Sequence, residues 1–221
     1  MPQITVHHLD DSRSHRVLWL LEELEVPYEL VVHRRDPKTM RAPPALLAVH
    51  PLGKAPVVVV DGVVLAESGA ILETLTEDLG PQLRPEPGTE AFRKYRYYLH
   101  YAEGSLGTPL LVALLMLRVR SAPVPFFIRP IARRIADNLD ALYTNPEIER
   151  HFAFLEGELQ SDFLCGDALT AADIQLSFGV EAAAARGLVG DRPRLRAWLD
   201  RLHARPAYRR AVERGGPYAY G

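Results

Sequence analysis

Residues 50–69 read HPLGKAPVVVVDGVVLAESG. Two apolar runs, Val57–Val60 and Val63–Ala66, flank the dipeptide Asp61-Gly62, and this arrangement is the strongest short-range signal for a β-hairpin. Pro56 stands directly before the first run, where a strand tolerates proline because its missing N–H is not needed there. We therefore predict an antiparallel hairpin, and it guides the interpretation of the segments on either side.

The segments around the hairpin alternate between strand and helix patterns. Before it, strand-like runs occupy residues 3–9 and 28–33, and apolar residues at helical spacing fill residues 14–25. After it, a helical pattern ends at Gly80-Pro81, a typical helix terminator. With a short helix ending near His50, the predicted order is β-α-β-α-β-β-α over about 80 residues.

The rest of the chain carries helical patterns. Residues 81–89 (PQLRPEPGT) are rich in proline and glycine and have the composition of a linker. Helical segments follow near residues 90–119, 125–143, 146–160, 171–186, 192–204 and 206–213. We therefore divide the chain into a mixed α/β domain (1–80), a linker (81–89) and an all-α domain (90–221).

Composition is that of an ordinary folded protein. The 221 residues are 48% hydrophobic and carry a net charge of −2, which gives no basic excess for nucleic acid. The longest apolar runs, such as Pro109–Leu117, are far below the roughly 20 residues of a transmembrane helix, so we expect no membrane span. Cys165 is the only cysteine, which excludes an intrachain disulfide. The first residues lack a signal-peptide pattern, and we expect a cytoplasmic protein.

The Ala55–Pro56 bond admits two interpretations. In the cis form it would expose the N–H and C=O of Ala55, with which an extended peptide could pair. In the trans form it would be part of a loop that enters a strand. Local sequence favours the trans form, because only about 5% of X–Pro bonds in folded proteins are cis.

Two polar clusters lie where helices begin. Glu67 and Ser68 open the helix after the hairpin, where they could hold the ammonium and carboxylate of an α-amino acid. The run Asp10–Ser14 precedes the first helix, where a hydroxyl near the helix N-terminus could stabilise a thiolate or oxyanion. Simple helix capping explains each cluster equally well. His7 and His8 have no cysteine or carboxylate at metal-ligand spacing, and we assign no metal site.

In combination these segments resemble the cytosolic glutathione S-transferase family. The resemblance covers nearly the whole chain and is carried by SRSHRVLWLLEEL (12–24), HPLGKAPVV (50–58), LAESGAIL (65–72) and FLCGDALTAADI (163–174). The motifs are similar to those of a fungal and bacterial branch. The family implies an α/β, thioredoxin-like N-terminal domain followed by an all-helical C-terminal domain, usually as a homodimer.

The resemblance also implies a glutathione-binding site. It makes Pro56 the cis proline and pairs the backbone of Ala55 with the cysteinyl part of glutathione. Glu67 and Ser68 would hold the γ-glutamyl head. The residues that it assigns to the glycine carboxylate are Lys54 and His50.

The group that stabilises the glutathione thiolate departs from the family pattern. Its usual position falls on Asp11, whose negative charge would oppose a thiolate. We expect Ser12, one residue further on, to take this role. Ser14 is the alternative, and Arg13 is a candidate electrostatic helper.

The reaction that the family implies is attack by the glutathione thiolate on a small hydrophobic electrophile, a detoxification chemistry with glutathione as co-substrate. The electrophile would lie against the helical domain near His100, Tyr101 and Glu103. Two alternatives stay open, namely a glutathione-dependent disulfide or peroxide reductase on the same site and a non-enzymatic glutathione-binding regulatory protein. Turnover of disulfides but not aryl halides would indicate the first, and binding without turnover the second.

Overall fold

A computed structural model describes residues 1–39, 41–216 and 218–220. Its sheet has the strand order β2-β1-β3-β4, in which β1 and β2 are parallel and the other neighbours are antiparallel. The strands are β1 (Ile4–Leu9), β2 (Glu29–His33), β3 (Val57–Val60) and β4 (Val63–Ala66).

The predicted hairpin is confirmed as β3 and β4. Val57 pairs with Ala66 and Val60 with Val63, so the two central residues of the turn are Asp61 and Gly62. Their φ angles are 48° and 84°. A tight hairpin of this length needs positive φ at both positions, which aspartate tolerates and glycine adopts without cost.

Three helices accompany the sheet: α1 (His15–Glu23), α2 (Ala45–Val49) and α3 (Ser68–Leu79). The apolar residues of α1 at helical spacing are buried, among them Val17, Leu18 and Leu21, and they join the hydrophobic core together with Val6 and Val58 of the sheet. The expected order β-α-β-α-β-β-α is therefore observed.

The remainder is helical. Its helices are α4 (Glu90–Tyr101), α5 (Gly107–Arg120), α6 (Arg129–Leu139), α7 (Asn145–Glu158), α8 (Ala171–Ala184), α9 (Pro193–His203) and α10 (Pro206–Gly215). One π-helical turn, Ala102–Leu106, joins α4 to α5, and another, Asp140–Thr144, joins α6 to α7. The fold class is therefore as expected, a thioredoxin-like sheet unit followed by a helical unit.

Helices α4 and α5 form one continuous helical segment, Glu90–Arg120, of 31 residues. By length and composition alone it could cross a membrane. Its side chains Tyr95, Tyr98, Leu99 and Leu106 are nevertheless buried in the core with residues from both parts of the chain. The division at residues 80 and 90 remains a prediction, since one connected core includes Leu83 from the connecting segment.

Side-chain capping, the alternative interpretation of the two polar clusters, is not observed for Ser14 or Ser68. The hydroxyl of Ser14 accepts a hydrogen bond from the Leu9 N–H at 3.0 Å and makes no cap to α1. At α3 the cap residue is Glu67, and Ser68 is the first helical residue. Both serines are buried. The Ser14 hydroxyl bonds to the carboxyl end of β1, and the Ser68 hydroxyl bonds to Arg16 at the interface between the two parts of the chain.

Two buried histidines, His8 of β1 and His15 at the start of α1, make folding sensitive to acid. The ring of His15 is 2% exposed and stacks on Tyr218 at 4.2 Å, and neither of its nitrogens has a hydrogen-bond partner among the described residues. Burial lowers the pKa of His15 to about 4, and burial likewise lowers the pKa of His8 to about 4. Between pH 6.5 and 4 the unfolded chain therefore binds more protons than the folded chain, and stability falls as the pH falls through this window.

We predict that each of these histidines removes about 2 kcal/mol from the free energy of unfolding between pH 7 and pH 5. His15→Phe keeps the ring stacking and removes one titrating group, so the loss between these two pH values should shrink by about 2 kcal/mol. Urea unfolding at both pH values measures this. An unchanged loss in the variant would show that His15 is not held neutral in the folded protein.

Candidate functional site

A cleft of about 780 Å³ lies between the sheet unit and the helical unit. Small-molecule sites typically have roughly 300–1,000 Å³. One wall is formed by the loop between β1 and α1 and by residues 52–55, and the opposite wall by the inner faces of α5 and α8. The cleft therefore brings together residues that are far apart in sequence.

Two arginines and one glutamate form the floor of the cleft. Arg13 lies just before α1 and Arg16 lies in its first turn. Both reach Glu103 in the π-helical turn after α4. The Arg13 Nε lies 2.9 Å from one carboxylate oxygen, and an Nη atom of Arg16 lies 2.6 Å from the other. The carboxylate of Glu103 thus joins the sheet unit to the helical unit.

Arg16 is the most buried charge of this group. Its side chain is 1% exposed and donates to four acceptors, the Ser68 hydroxyl at 3.0 Å, the Gln175 carbonyl at 2.5 Å, the Arg13 carbonyl at 3.4 Å and the Glu103 carboxylate. A buried guanidinium is tolerated only when its donors are paired in this way. Arg16 therefore fixes the relative positions of α1, α3, the π-helical turn and α8.

The floor carries one excess positive charge. Burial disfavours the charged form of Glu103, but the attraction of Arg16 and Arg13 outweighs it and lowers the pKa of the carboxyl. At neutral pH the three residues are therefore two guanidiniums and one carboxylate. The resulting potential favours an anion bound above them.

Ser12 and Ser14 occupy different environments. Ser12 lines the cleft and donates its hydroxyl proton to the Leu9 carbonyl at 2.7 Å, while it accepts the Ser14 N–H at 3.2 Å. Ser14 is fully buried, and its hydroxyl lies 2.8 Å from Nδ1 of His8, whose other ring nitrogen faces the backbone of Gly215. The Ser14 proton is therefore used by His8. The Ser12 hydroxyl lies 2.7 Å from the Ser14 hydroxyl as well as from the Leu9 carbonyl, and of the two serines it alone lines the cleft.

The C-terminal segment contributes to the same cleft. The Asp11 carboxylate, which also lines the cleft, accepts the Ala219 N–H at 2.8 Å. Tyr220 lines the cleft as well and packs edge-on against Phe178, with ring centroids 5.7 Å apart. Phe178 in turn lies under the guanidinium of Arg16 at 5.4 Å. The negative charge of Asp11 is therefore partly satisfied by a backbone donor.

The Ala55–Pro56 peptide is cis, as the resemblance predicts and against the local odds. Ala55 and Lys54 line the cleft, while Pro56 is buried beneath them at the start of β3. His50 is not among the cleft-lining residues. It ends α2, and its Nδ1 accepts the Leu52 N–H at 3.4 Å.

Glu67 and Ser68 lie beside the cleft at the start of α3. Glu67 is exposed and has a φ angle of 70°, a conformation that costs a non-glycine residue about 1–3 kcal/mol and that clusters at ligand-binding positions. The Ser68 hydroxyl oxygen accepts a hydrogen bond from Arg16, which leaves the hydroxyl proton for another acceptor. Arg16 thus links Ser68 to the charged floor of the cleft.

The structure does not bring His100 and Tyr101 to this cleft. Together with Arg96 and Tyr97 they line a separate open recess on the outer side of α4. The Tyr101 hydroxyl lies 2.7 Å from Nδ1 of His151. Because successive residues of a helix differ by 100°, Tyr101 lies nearly opposite Glu103, which alone of the three faces the cleft.

Sequence patterns missed several cleft residues. Arg16 stands four residues before Leu20, on the buried side of α1, and a charged residue at that spacing was the available signal. No local pattern marked Phe178 or Tyr220, since their place in the cleft depends on how α8 and the C-terminal segment pack.

Comparison with known proteins places these features in one family. The sequence model of the glutathione S-transferase N-terminal domain matches residues 12–78, and that of the C-terminal domain matches residues 119–206. Glutathione S-transferase 1 of Saccharomyces cerevisiae is 35% identical over 226 residues, covering 97% of this chain and 96% of its own. Glutathione S-transferase 3 of Schizosaccharomyces pombe is 38% identical over 215 residues, covering 96% and 87%.

A solved structure shows the same architecture. A glutathione S-transferase from Actinobacillus pleuropneumoniae superimposes with a TM-score of 0.80 at 32% sequence identity. The match covers 98% of this chain and 94% of that one. The likeness therefore extends over both the sheet unit and the helical unit.

We predict that Arg16→Met lowers the free energy of unfolding by about 2–3 kcal/mol, because it leaves Ser68 and the Gln175 carbonyl without their buried donor. Arg84→Met is the matched control. It breaks an ion pair with Glu77 on the surface, which costs at most about 1 kcal/mol. Urea unfolding at pH 7 measures both, and equal losses would show that Arg16 does not hold the two units together.

Proposed function

The chain belongs to the glutathione S-transferase family, and on that premise we propose that it conjugates the glutathione thiolate to small hydrophobic electrophiles. The sulfur of the thiolate forms a bond to an electrophilic carbon, and a leaving group departs with its electron pair. A role in detoxification and a cytoplasmic location, where glutathione is kept reduced, are parts of the same proposal.

The observation that carries the proposal is the Ser12 hydroxyl above a floor of net positive charge. A free thiol with a pKa near 8.5 is only a few per cent ionised at pH 7. Lowering its pKa by about 2 units makes most of it thiolate and corresponds to roughly 2.7 kcal/mol. A hydroxyl donor, the excess charge of Arg13 and Arg16 over Glu103, and the N-terminus of α1 together suffice for a stabilisation of this size.

Under the proposal, each remaining group of glutathione has a partner in the cleft or beside it. The backbone of Ala55 pairs with the cysteinyl part, and Glu67 and Ser68 hold the ammonium and carboxylate of the γ-glutamyl head. Support comes from the free proton of Ser68 and the strained backbone of Glu67. The residues proposed for the glycine carboxylate are Lys54, which lines the cleft, and His50.

The electrophile lies against the helical wall of the cleft, beyond Glu103. The part of that wall that follows Glu103 is apolar and is formed by Leu110, Leu111 and Leu114 of α5 and by Phe178 of α8. An apolar wall next to the sulfur favours hydrophobic electrophiles and excludes water from the reacting atoms.

The single cysteine supports transfer rather than disulfide exchange through the protein. Cys165 is not among the residues that line the cleft. Burial raises the pKa of its thiol to about 12, so it is not a thiolate at neutral pH. A reductase cycle would therefore have to use glutathione alone.

A homodimer completes the proposal. Apolar side chains are exposed in both parts of the chain, including Val63 (61%) and Val64 (44%) on the edge strand β4 and Tyr97 (50%) on α4. An uncovered edge strand with apolar side chains is a surface that proteins normally pair or cover.

We predict that Ser12→Ala raises the pKa of the bound glutathione thiol by at least about 1 unit, because the sulfur loses its hydroxyl donor. Glutathione affinity should change less, since the two ends of the tripeptide are held elsewhere. The ultraviolet thiolate absorbance of bound glutathione against pH measures the shift.

Ser14→Ala is the control for this measurement. It leaves the Leu9 N–H and Nδ1 of His8 without their Ser14 partner, so it should cost about 1–3 kcal/mol of stability with little effect on the thiol pKa. A thiol shift in Ser14→Ala but not in Ser12→Ala would transfer the role to Ser14. No shift in either variant would assign it to backbone N–H groups or Arg13.

We predict a dimer of twice the 24.7 kDa chain mass in sedimentation equilibrium at micromolar concentration. The expected cause is burial of the exposed apolar side chains of β4 and α4. A single 24.7 kDa species under the same conditions would contradict the dimer.

A further inference from the structure

The cleft is lined by further cationic side chains besides the two arginines of its floor. Among the residues that the structure describes, seven cationic and two acidic side chains line it. Arg13 and Arg16 are bonded to Glu103, and Arg35 donates to carbonyls of the β1–α1 loop. The cationic side chains that make no hydrogen bond or ion pair within the described residues are Arg41, Lys54, Arg118 and Arg186.

These four side chains fall on two sides of the cleft. Arg41 and Lys54 lie on the sheet unit, next to the end of the cleft where glutathione places its glycine carboxylate under the proposed function. Arg118 lies in the last turn of α5, and Arg186 follows the end of α8. The two arginines of the helical wall are thus not needed for glutathione.

Two ladders of side chains lead to Arg118 and Arg186. On α5 the residues Leu110, Leu114 and Arg118 follow one another at intervals of four, and all three line the cleft. The residues at the same interval that line the cleft from α8 are Phe178 and Ala182, and Arg186 continues this interval in the turn that follows the helix. Residues four apart lie on one helix face, so each ladder is apolar first and cationic at its far end.

The two ladders run side by side in the same direction. At the floor, Arg16 contacts both Glu103 and the Gln175 carbonyl, which sets these two residues at one level. Further along, Gly179 faces Leu106 and Leu110, whose side chains a Cβ atom at position 179 would contact. Sequence numbers increase together on both helices, so Arg118, roughly 12 Å of helix beyond Leu110, and Arg186, just after the end of α8, lie towards the same end of the cleft.

We propose that the electrophile carries an anionic group, a carboxylate or a sulfonate, at the end remote from its reacting carbon, and that Arg118 and Arg186 hold this group. The apolar body of the substrate lies between the glutathione sulfur and the two guanidiniums. Arginine binds such planar or tetrahedral anions through paired N–H donors, and the adjoining apolar wall strengthens the pairing by excluding water. This inference rests on the proposed function and names its substrate class.

A matched pair of aryl chlorides tests the proposal, namely 4-chloro-3,5-dinitrobenzoate and its methyl ester. In both, the thiolate sulfur forms a bond to the carbon that bears chlorine, and chloride leaves with the electron pair of the broken bond. The thiol proton has already gone to solvent. Each kcat/KM is divided by the rate constant of the uncatalysed reaction with glutathione, because the two rings differ in intrinsic reactivity.

The wild-type protein should favour the carboxylate over the ester by about 10-fold or more after this correction. Arg118→Met and Arg186→Met should each lower kcat/KM for the carboxylate by about 10-fold and change that for the ester by less than about 3-fold. The KM for glutathione should stay the same. Arg133→Met, which removes an exposed arginine of α6 outside the cleft, is the matched control and should behave as wild type.

Equal losses for both substrates in the two variants would overturn the proposal, as would a higher KM for glutathione, which would assign these arginines to glutathione instead. Absence of a carboxylate preference in a wild-type protein that turns over the ester would also overturn it, while the transferase function would stand.

Calorimetric binding of the two purified glutathione conjugates decides the matter without turnover. The conjugate with the free carboxylate should bind wild type about 10-fold more tightly than its ester, and this difference should disappear in Arg118→Met and Arg186→Met. Equal binding of the two conjugates by wild type would refute the anion site. Failure to bind glutathione or either conjugate would refute the proposed function together with it.

Discussion

The buried guanidinium of Arg16 is the interaction on which the two halves of the molecule depend. It donates to Ser68 at the start of α3, and it also donates to two acceptors of the helical unit, Glu103 and the Gln175 carbonyl. A buried charge is expensive unless every donor finds an acceptor, so the positions of these acceptors are tightly constrained. The cleft lies directly above this junction, and its shape follows from it.

The same junction sets the chemistry of the cleft from one end to the other. At the floor, two guanidiniums and one carboxylate leave a positive potential beside Ser12, which suits a thiolate. Because Arg16 also contacts α8, it aligns α8 with α5, and the apolar ladders of both helices continue from the same level. The Arg16 contacts therefore set the arrangement of the cleft. It has a charged floor at one end, an apolar middle, and a second cationic end formed by Arg118 and Arg186.

Sequence patterns predicted the secondary-structure elements better than the tertiary contacts between them. The Asp61-Gly62 turn and the apolar periodicity of α1 are local signals, and both gave the observed strands and helices. The cis form of the Ala55–Pro56 bond followed only from resemblance to a family, because its cause lies outside the local sequence. Periodicity places Arg16 on the buried side of α1 but does not show which acceptors its guanidinium meets, so the role of Arg16 was missed. The rotation of α4 decides which of His100, Tyr101 and Glu103 faces the cleft, and sequence alone does not give that rotation. Of the three, only Glu103 lines the cleft.

The central claim is that this cleft binds glutathione as a thiolate. Calorimetry of glutathione binding at pH 7, in two buffers that differ in their enthalpy of ionisation, measures the protons released on binding. A bound thiol whose pKa is about 2 units below 8.5 requires the release of about 0.7 proton per site. Release near that value would support the account. Binding with no proton release would mean that glutathione is held as the thiol, and it would contradict the account.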